Sequence, residues 1–407
     1  MRPKYKIFFV SALLLSVFSL SLGIYIFRFR QASHAAQAYG NLGQPMWSGV
    51  SSLLFGTNDT EEWSADNLDS DPHHIMIDDL ARAHFGLVRS FFFHYTFYGN
   101  GNDHRTTIGT HPASTKNFTL AEYANPVPRP NQLPGDYYEI ERRVSTIEKI
   151  GATCLGVLPD ILTDPSHPND GIASHNYRDP VTDKLETDLQ FDEEVVAYLG
   201  NRCNLYEFGN EPDYNGISEP TYVQKWDEFI PLLKKLNPRA KFIGPVTASA
   251  DGMTGNYMQE FLQDIAAGKV KPLPDAISFH DYPCGGVNAS TESECLASGV
   301  DSYISAINHV RSMMEHYLGH TLPLGITEWN ADPGSNTFMQ NSSFMTKFTQ
   351  ASLQAMIDEK LDFAAEFDAQ SYSGYCNLDM FDSCSGTDQP KAQFTEIAKS
   401  ISRYYQG

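Results

Sequence analysis

The feature that most restricts the fold of this chain is a repeated alternation of short β-rich runs with longer segments of helical periodicity. Parallel strands must be joined by crossover connections, usually helices, so this alternation is typical of βαβ units and a parallel sheet. The predicted strands are Ser51–Phe55, Gly86–Phe93, Thr153–Leu158, Asn204–Gly209, Lys241–Val246, Ala276–His280, Leu324–Glu328 and Asp362–Phe367. Eight such units are the number that closes an α/β barrel. We therefore predict an α/β fold, a (β/α)8 TIM barrel.

The segments between the strands have the periodicity of amphipathic helices. Between Tyr138 and Ile150 apolar side chains recur at helical spacing, and Gly151 follows as a C-terminal cap. Another helix is predicted to begin at Glu219 and end near Leu236, because the proline that follows Glu219 is tolerated in a first helical turn. Further helices are predicted at Tyr257–Ala267, Val300–Leu318, Ser342–Glu359 and Lys391–Tyr405. We expect these helices to cover the barrel, and we expect no accessory sandwich after the last one.

The N-terminus has the pattern of an export signal. An apolar run from about Phe8 to Phe27 is long enough to span a bilayer and longer than most signal-peptide cores, which favours a signal anchor. Basic residues flank it at Arg2, Lys4, Lys6, Arg28 and Arg30. The small-x-small pattern at Ala36-Gln37-Ala38 leaves open secretion after cleavage near Ala38. Both alternatives place the body of the chain outside the cytoplasm, with membrane contact through this segment alone.

These boundaries divide the chain into two parts. Residues 1–38 form the anchor or signal peptide with a short stem, and residues 39–407 form a single barrel domain. The segment from Tyr95 to Pro134 follows the second predicted strand, so we expect it at the C-terminal rim of the barrel, where it would shape a cleft.

Cysteine usage agrees with export. The chain has 6 cysteines, an even number, which suits disulfide bonds in an oxidising compartment. The pairs expected to bridge are Cys284 with Cys295, Cys376 with Cys384, and Cys154 with Cys203. Four N-x-S/T sequons begin at Asn58, Asn117, Asn288 and Asn341.

Charge excludes one large class of partner. The formal net charge is −21, with 29 Lys and Arg against 50 Asp and Glu. Binding a phosphate backbone needs clustered basic side chains, so we expect no nucleic-acid partner. No Cys-x-x-Cys pair is present either, and we expect no metal and no cofactor.

Two glutamates stand where a barrel presents catalytic side chains, at the carboxyl ends of strands. Glu211 follows the fourth predicted strand in the run Gly209-Asn210-Glu211-Pro212, and Glu328 ends the seventh in Ile326-Thr327-Glu328-Trp329-Asn330. A pair of carboxyl groups can divide the work of glycosidic cleavage, since one donates a proton while the other attacks the anomeric carbon. Glu211 is the candidate acid and base, and Glu328 is the candidate nucleophile.

Four further residues are candidates for supporting this pair. Arg89 closes the run Gly86-Leu87-Val88-Arg89 on the second predicted strand and could offset the charge of Glu328. His280 and Tyr282 alternate by two at the sixth strand, so they share one side of it. Asn210 precedes Glu211 and could hydrogen-bond a sugar 2-hydroxyl.

Together these motifs resemble clan A of the glycoside hydrolases, whose catalytic glutamates end strands four and seven. The resemblance extends from about Ser51 to the end of the chain and is strongest for family 39 and family 79 types. It also includes the run from Asn377 to Asp382 and the residues from Gln389 to Ala392. It implies a retaining double displacement on a carbohydrate, with Glu211 as acid/base and Glu328 as nucleophile.

The sequence departs from this clan at the eighth strand. Many members place a tryptophan there beneath the sugar, whereas this chain offers Phe367 or Tyr372 as substitutes. Trp47, Trp63 and Trp329 are further candidates for stacking on sugar rings.

Two alternatives remain for the function. One is a carbohydrate-binding barrel without activity, and the other is a metal-dependent hydrolase on the same fold, suggested by His73-His74 and His280-Asp281. The sequence does not determine the sugar, the linkage, endo or exo action, or the oligomeric state.

Overall fold

The barrel is built from eight parallel strands. The computed structural model describes residues 42–59, 75–92, 135–158, 177–178, 185–186, 188–253, 255–285, 291–334, 337–371, 375–382 and 384–405. The strands are β1 (Gly56–Asp59), β2 (Leu87–Phe91), β3 (Thr153–Leu158), β4 (Leu205–Phe208), β5 (Lys241–Ile243), β6 (Ile277–Asp281), β7 (Leu324–Trp329) and β8 (Phe363–Glu366). Their order in the sheet is β6-β7-β8-β1-β2-β3-β4-β5, and bridges from Ile243 to Ala276 and from Thr247 to Phe279 join the two outer strands. The predicted (β/α)8 barrel is therefore confirmed.

One helix follows each strand within the described part of the chain. The helices are α1 (Ile75–Ala83), α2 (Gly135–Ile150), α3 (Asp188–Leu199), α4 (Glu219–Leu236), α5 (Tyr257–Ala266), α6 (Glu292–Leu318), α7 (Ser342–Asp358) and α8 (Ala392–Tyr404). The bounds of α4 agree with the sequence prediction, while α6 begins eight residues before the predicted Val300. Two-stranded antiparallel ribbons at Met46–Trp47 with Val50–Ser51, and at Tyr177–Arg178 with Leu185–Glu186, lie outside the barrel sheet.

Helix α4 shows how the local sequence sets an element. The Ser218 side chain accepts a hydrogen bond from the backbone N–H of Thr221, so it caps the first turn, where Pro220 needs no partner for a missing N–H. Tyr222, Trp226 and Phe229 follow at helical spacing and are buried against the barrel. Burial of each such side chain stabilises the fold by about 1.5–3 kcal/mol.

The first strand is the one that the sequence prediction placed wrongly. Ser52–Leu54 forms a 3-10 turn, and β1 begins later, at Gly56. The apolar run misled the prediction because Leu53 is buried in the apolar cluster at the N-terminal end of the barrel and Leu54 in the larger core cluster, although neither belongs to a strand. The true strand, Gly-Thr-Asn-Asp, is polar and buried, and its Asn58 amide donates to backbone oxygens of β7 and β8.

The interior of the barrel changes from apolar to polar along the strands. Its floor is an apolar cluster that includes Leu87 on β2 and Leu205 on β4. Because side chains alternate along a strand, the residues two positions further, Arg89 and Glu207, face the same interior one layer higher. In the floor, Gly325 is required for space, since a Cβ there would lie 2.2 Å from the Phe363 ring. This gradient places the polar layer directly below the C-terminal rim.

All three predicted disulfides are present. Cys154 bonds to Cys203, Cys284 to Cys295 and Cys376 to Cys384, with Cα–Cα distances of 5.0, 5.3 and 5.8 Å. Such bonds are typical of exported proteins.

The predicted export segment lies outside the described residues. The apolar run at residues 8–27, the pattern at Ala38 and the residues between 93 and 134 all lie outside the described ranges. Within those ranges, no helix combines the length and apolar character needed to cross a bilayer. The division at residue 38 stays a prediction.

Candidate active site

The polar residues predicted at the strand ends meet in one cluster at the C-terminal end of the barrel. Arg89 belongs to β2, His280 to β6 and Glu328 to β7, while Asn210 and Glu211 follow β4. All five are found within a network of hydrogen bonds, and Arg89 and His280 have no exposed surface. Tyr282, directly after β6, completes the set. The topology thus brings together residues that are up to 239 positions apart in sequence.

Arg89 is the centre of this network. Its Nε donates to Glu207 Oε2 at 2.5 Å, and its Nη1 donates to Asn58 Oδ1 at 2.9 Å and to Glu328 Oε1 at 2.7 Å. Its Nη2 donates to Asn210 Oδ1 at 2.7 Å and lies 3.4 Å from His280 Nε2. A guanidinium has five N–H donors in a rigid plane, and each of them faces an acceptor here.

Two neighbours fix both oxygens of Glu328. Arg89 donates to Oε1, and the Tyr282 hydroxyl donates to Oε2 at 2.9 Å. His280 Nδ1 lies 3.5 Å from the same Oε2. Glu328 is 6% exposed, so these bonds operate in a largely desolvated position, where each is stronger than in water. These donors fix the orientation of the carboxylate.

Glu211 occupies a strained turn after β4. Its φ angle is 48°, in the left-handed region, and its N–H donates to Val246 O at 2.9 Å. Val246 is also left-handed, with φ 57°. A non-glycine residue in this region costs about 1–3 kcal/mol and persists only when its surroundings enforce it. Strain of this kind clusters at functional sites, and here it holds the Glu211 carboxyl group next to His280.

The environment of Glu211 favours its protonated form. Burial, with a smaller contribution from the charge of Asp213, raises the pKa of Glu211 to about 7 against the opposing effect of Arg89. Asp213 is itself held by the backbone N–H groups of Ala248 and Met253, at 3.0 and 2.6 Å. A carboxyl group with a pKa near 7 can donate a proton and later accept one near neutral pH.

The contacts of His280 determine its tautomer. An arginine always donates, so a bond from Arg89 requires His280 Nε2 to be the acceptor. The proton then sits on Nδ1, which donates to Glu211 Oε1 at 2.7 Å. Burial lowers the pKa of His280, which agrees with a neutral ring. Because Oε1 of Glu211 accepts this bond, Oε2 is the oxygen that remains to carry the acid proton.

The two glutamates are close enough to act on one atom. Ligand atoms of Glu211, His280 and Glu328 all lie within 4.8 Å of one another. Carboxyl groups about 5–5.5 Å apart are typical of retaining glycosidases, whereas inverting enzymes need about 6.5–9.5 Å. The approach of the two carboxyl oxygens to within 4.8 Å is closer to the retaining than to the inverting spacing.

Among the described residues, these same three form the group whose ligand atoms are close enough together to hold a metal ion. A cation there would have to replace existing partners, because both oxygens of Glu328 and both ring nitrogens of His280 already have them. Arg89 would also repel the cation at short range. Metal binding at this group would therefore break hydrogen bonds that its members already make.

The structure does not bring Trp329 into this cluster. It is 1% exposed and lies on the outer side of β7, where its ring packs edge-on against Tyr303 at 6.3 Å. Trp47 packs against Phe55 and Tyr405 near the barrel floor. Trp63 and Tyr372 lie outside the described residues.

Phe367 is the aromatic side chain that follows β8 beside the site. It is only partly buried, and its ring meets the Tyr282 ring at 6.2 Å, nearly perpendicular. Asn330 holds the backbone on this side, because its amide donates to Phe367 O at 2.6 Å and to Leu378 O at 3.1 Å.

Three buried residues of the site were missed by the sequence analysis. Glu207 binds Arg89, Ser278 donates to Glu207 Oε1 at 2.7 Å, and Asn58 accepts from Arg89. The signal for Glu207 was a charged residue at an inward position of an apolar strand, four residues before Glu211. Asn58 was recognised only as the start of a sequon, and its complete burial excludes it as a glycan acceptor in the folded protein.

Comparison with known proteins supports the fold. A β-xylosidase from Caulobacter crescentus CB15 aligns over 88% of this chain and 69% of its own, with a TM-score of 0.59 and 14% identity. A GH39 enzyme from Xanthomonas axonopodis pv. citri aligns over 89% and 68%, with a TM-score of 0.56 and 13% identity. A glucosidase from Croceicoccus marinus aligns over 86% and 68%, with a TM-score of 0.54 and 16% identity.

No family sequence model matches the chain, and no curated protein matches it by sequence. The similarity to solved structures therefore shows the fold, and it bears out the resemblance to clan A barrels at that level.

Proposed function

We propose that this protein is a retaining glycoside hydrolase that cleaves O-glycosidic bonds of an oligo- or polysaccharide. The observation that carries the proposal is the pair Glu211 and Glu328, with ligand atoms within 4.8 Å and with different environments. Burial raises the pKa of Glu211 to about 7, while Glu328 accepts bonds from a cation and a hydroxyl group. Two carboxyl groups in unlike settings are what an acid and a nucleophile require.

The first half of the reaction forms a covalent intermediate. Glu328 attacks the anomeric carbon while the proton on Glu211 passes to the leaving oxygen, so that the glycosidic bond breaks as the ester bond forms. Arg89 and Tyr282 hold the attacking carboxylate in place. Arg89 also holds the oxygen of Asn210, so the amide Nδ2 is the group that Asn210 can present to a sugar 2-hydroxyl.

The second half returns the enzyme to its starting state. Glu211, now ionised, takes a proton from water, whose oxygen attacks the anomeric carbon and releases Glu328. His280 donates to Glu211 Oε1 and so supports the ionised form between the two steps. Phe367 is the partly exposed ring at the site and offers a surface for the sugar.

The test is a screen of the body of the chain, from about residue 39, on aryl glycosides and polysaccharides. Aryl β-xylosides and β-glucosides come first because proteins of similar fold are a β-xylosidase and a glucosidase. Proton NMR of the first product should show the same anomer as the substrate. Glu328→Ala should lose activity, and sodium azide should restore turnover with an inverted glycosyl azide as the product.

The controls separate the alternatives. A binding barrel without activity would bind glycans equally well with and without Glu328 and would turn over none of them. A metal-dependent hydrolase would lose activity on treatment with a chelator, whereas the proposed mechanism predicts no change. Inverted stereochemistry in the wild-type product would refute the retaining mechanism.

We also infer that the body of the protein is exported. The three disulfides support this inference, and the apolar segment at residues 8–27 provides either an anchor or a cleaved signal. N-terminal sequencing of the mature protein distinguishes the two, since cleavage near Ala38 gives a new terminus and an anchored chain stays in the membrane fraction.

A further inference from the structure

Glu207 is a buried carboxyl group to which the proposed mechanism assigns no part. It lies on β4, four residues before Glu211, and has no exposed surface. Placing a carboxyl group in a barrel interior is costly unless it is paired and hydrogen-bonded, and Glu207 is both. Its Oε2 accepts from Arg89 Nε at 2.5 Å, and its Oε1 accepts from Ser278 Oγ at 2.7 Å.

These contacts cross the barrel between alternate strands. Arg89 comes from β2, Glu207 from β4 and Ser278 from β6, the arrangement by which alternate strands fill one layer of a barrel. Ser278 therefore fixes Glu207, and Glu207 fixes the guanidinium at Nε. Because the guanidinium is planar, holding Nε also sets the directions of the N–H groups that reach Glu328 and Asn210.

The distribution of charge around Arg89 also links Glu207 to the catalytic pair. One cation, Arg89, lies between two carboxyl groups, Glu207 at 2.5 Å and Glu328 at 2.7 Å. Burial opposes the charged form of Arg89, yet its pKa is raised, first through the charge of Glu207 and then through that of Glu328. If Glu207 were neutral, the whole guanidinium charge would act on Glu328 and its neighbours, and a more strongly neutralised carboxylate is a weaker nucleophile.

We propose that Glu207 is a positioning residue, which holds Arg89 in register and divides its charge so that Glu328 remains nucleophilic and Glu211 remains protonated. The proposal rests on the proposed function, since these are the groups which that function uses. It deepens that function by naming a residue one layer below the catalytic pair that adjusts, through Arg89, the pH at which the pair works.

The variant that tests it is Glu207→Gln, which keeps the shape and removes the charge. Without that charge, Arg89 acts more strongly on Glu211, whose pKa Arg89 already lowers. The basic limb of kcat/KM against pH on the active aryl glycoside should then move toward lower pH by roughly one unit, which is typical for loss of a nearby charge. At its own optimum, kcat should fall at least about tenfold.

Ser278→Ala is the matched control. It removes one hydrogen bond to Glu207 and leaves every charge in place, so its basic limb should coincide with that of the wild type. A purely structural role for Glu207 predicts lower stability or activity with an unmoved limb in both variants. An unmoved limb in Glu207→Gln overturns the proposal.

A second measurement decides the matter without any turnover. Carbon NMR of protein labelled at glutamate Cδ follows the titration of Glu211 directly, with Glu211→Gln used to assign its signal. A titration that moves to lower pH in Glu207→Gln supports the proposal even if no substrate is found, and an unchanged titration refutes it. Absence of turnover in the wild type would count against the proposed function alone.

If Glu207→Gln does not fold, Glu207→Asp replaces it. This variant keeps the charge and withdraws the oxygen from Arg89 Nε by one methylene group. In Glu207→Asp the proposal predicts that Glu211 titrates as it does in the wild type. It also predicts that the chemical shift of Glu328 changes, because the guanidinium that binds Glu328 has moved. Wild-type shifts at Glu328 would overturn it.

Discussion

Replacement of Glu211 by glutamine should stabilise the protein at neutral and alkaline pH. Burial is the main reason that the pKa of Glu211 lies near 7, so above that pH an ionised carboxylate is held where it is poorly solvated. Glutamine has the same shape, and its oxygen can still accept the bond from His280 Nδ1. The substitution therefore removes the cost of the charge and retains the contact.

The sign and size of this stability change follow from the linkage between protonation and folding. The folded pKa of about 7 is above the ordinary value of 4.5, so the stability that Glu211 contributes is fully present below pH 4.5 and is lost as pH rises through 7. A difference of this size corresponds to about 3 kcal/mol in the free energy of unfolding. Glu211→Gln should thus match the wild type near pH 4 and exceed it by up to about 3 kcal/mol at pH 8.

Urea unfolding at a series of pH values measures this difference. Asn215→Ser is the control, because Asn215 Nδ2 donates to Asn210 O in the same loop without carrying a charge, and its effect should not vary with pH. Parallel curves for the wild type and Glu211→Gln would refute the argument that burial sets the ionisation of this group. The same pKa predicts that wild-type kcat/KM falls tenfold per pH unit above about pH 7.

Three further changes have expected outcomes. Tyr282→Phe removes the 2.9 Å hydrogen bond to Glu328 and should lower kcat/KM about 10–100-fold, the effect of losing a hydrogen bond to a charged group. An unchanged kcat/KM would show that Tyr282 does not support the nucleophile. Arg89→Lys keeps the charge, but an ammonium group cannot serve all five acceptors of the guanidinium. The free energy of unfolding, measured with urea, should fall by about 3–5 kcal/mol, and an unchanged value would show that the network does not stabilise the fold. Changing Cys154 and Cys203 together to serine opens a disulfide between residues 49 positions apart and should lower the free energy of unfolding by about 4 kcal/mol. Calorimetry of the variant and the wild type measures this difference, and equal stability would show that the bond does not restrict the unfolded chain.

The fold could be predicted because the information for it is local. Periods of 2 and 3.6 residues identify strands and helices one at a time, and their alternation leaves few topologies. Helix α4 is the clearest case, since Ser218, Pro220 and the spacing of its apolar residues specify it without any distant partner. The prediction of the first strand failed because it used local information alone, whereas the polar residues of that strand are buried only through contacts with other strands.

The catalytic candidates were accessible to sequence for a different reason. Barrels place functional side chains at the carboxyl ends of strands, so locating a strand end also locates the residue. Glu211, His280 and Glu328 were found in this way. Trp329 shows the limit of the approach, since the next residue on β7 faces outward to Tyr303 and away from the site.

What the sequence by itself determined is the order of elements, the three disulfide pairs and the two glutamates at the rim. The pairing of Arg89 with Glu328 was predicted, but only the tertiary structure decided its other partners on β1, β4 and β6, which lie 31 to 191 positions away in sequence. It also decided the ionisation of Glu211, since a pKa depends on burial and on charges brought near by folding. Hydrophobic periodicity acts between residues close along the chain, whereas hydrogen bonds and desolvation act between residues close in space.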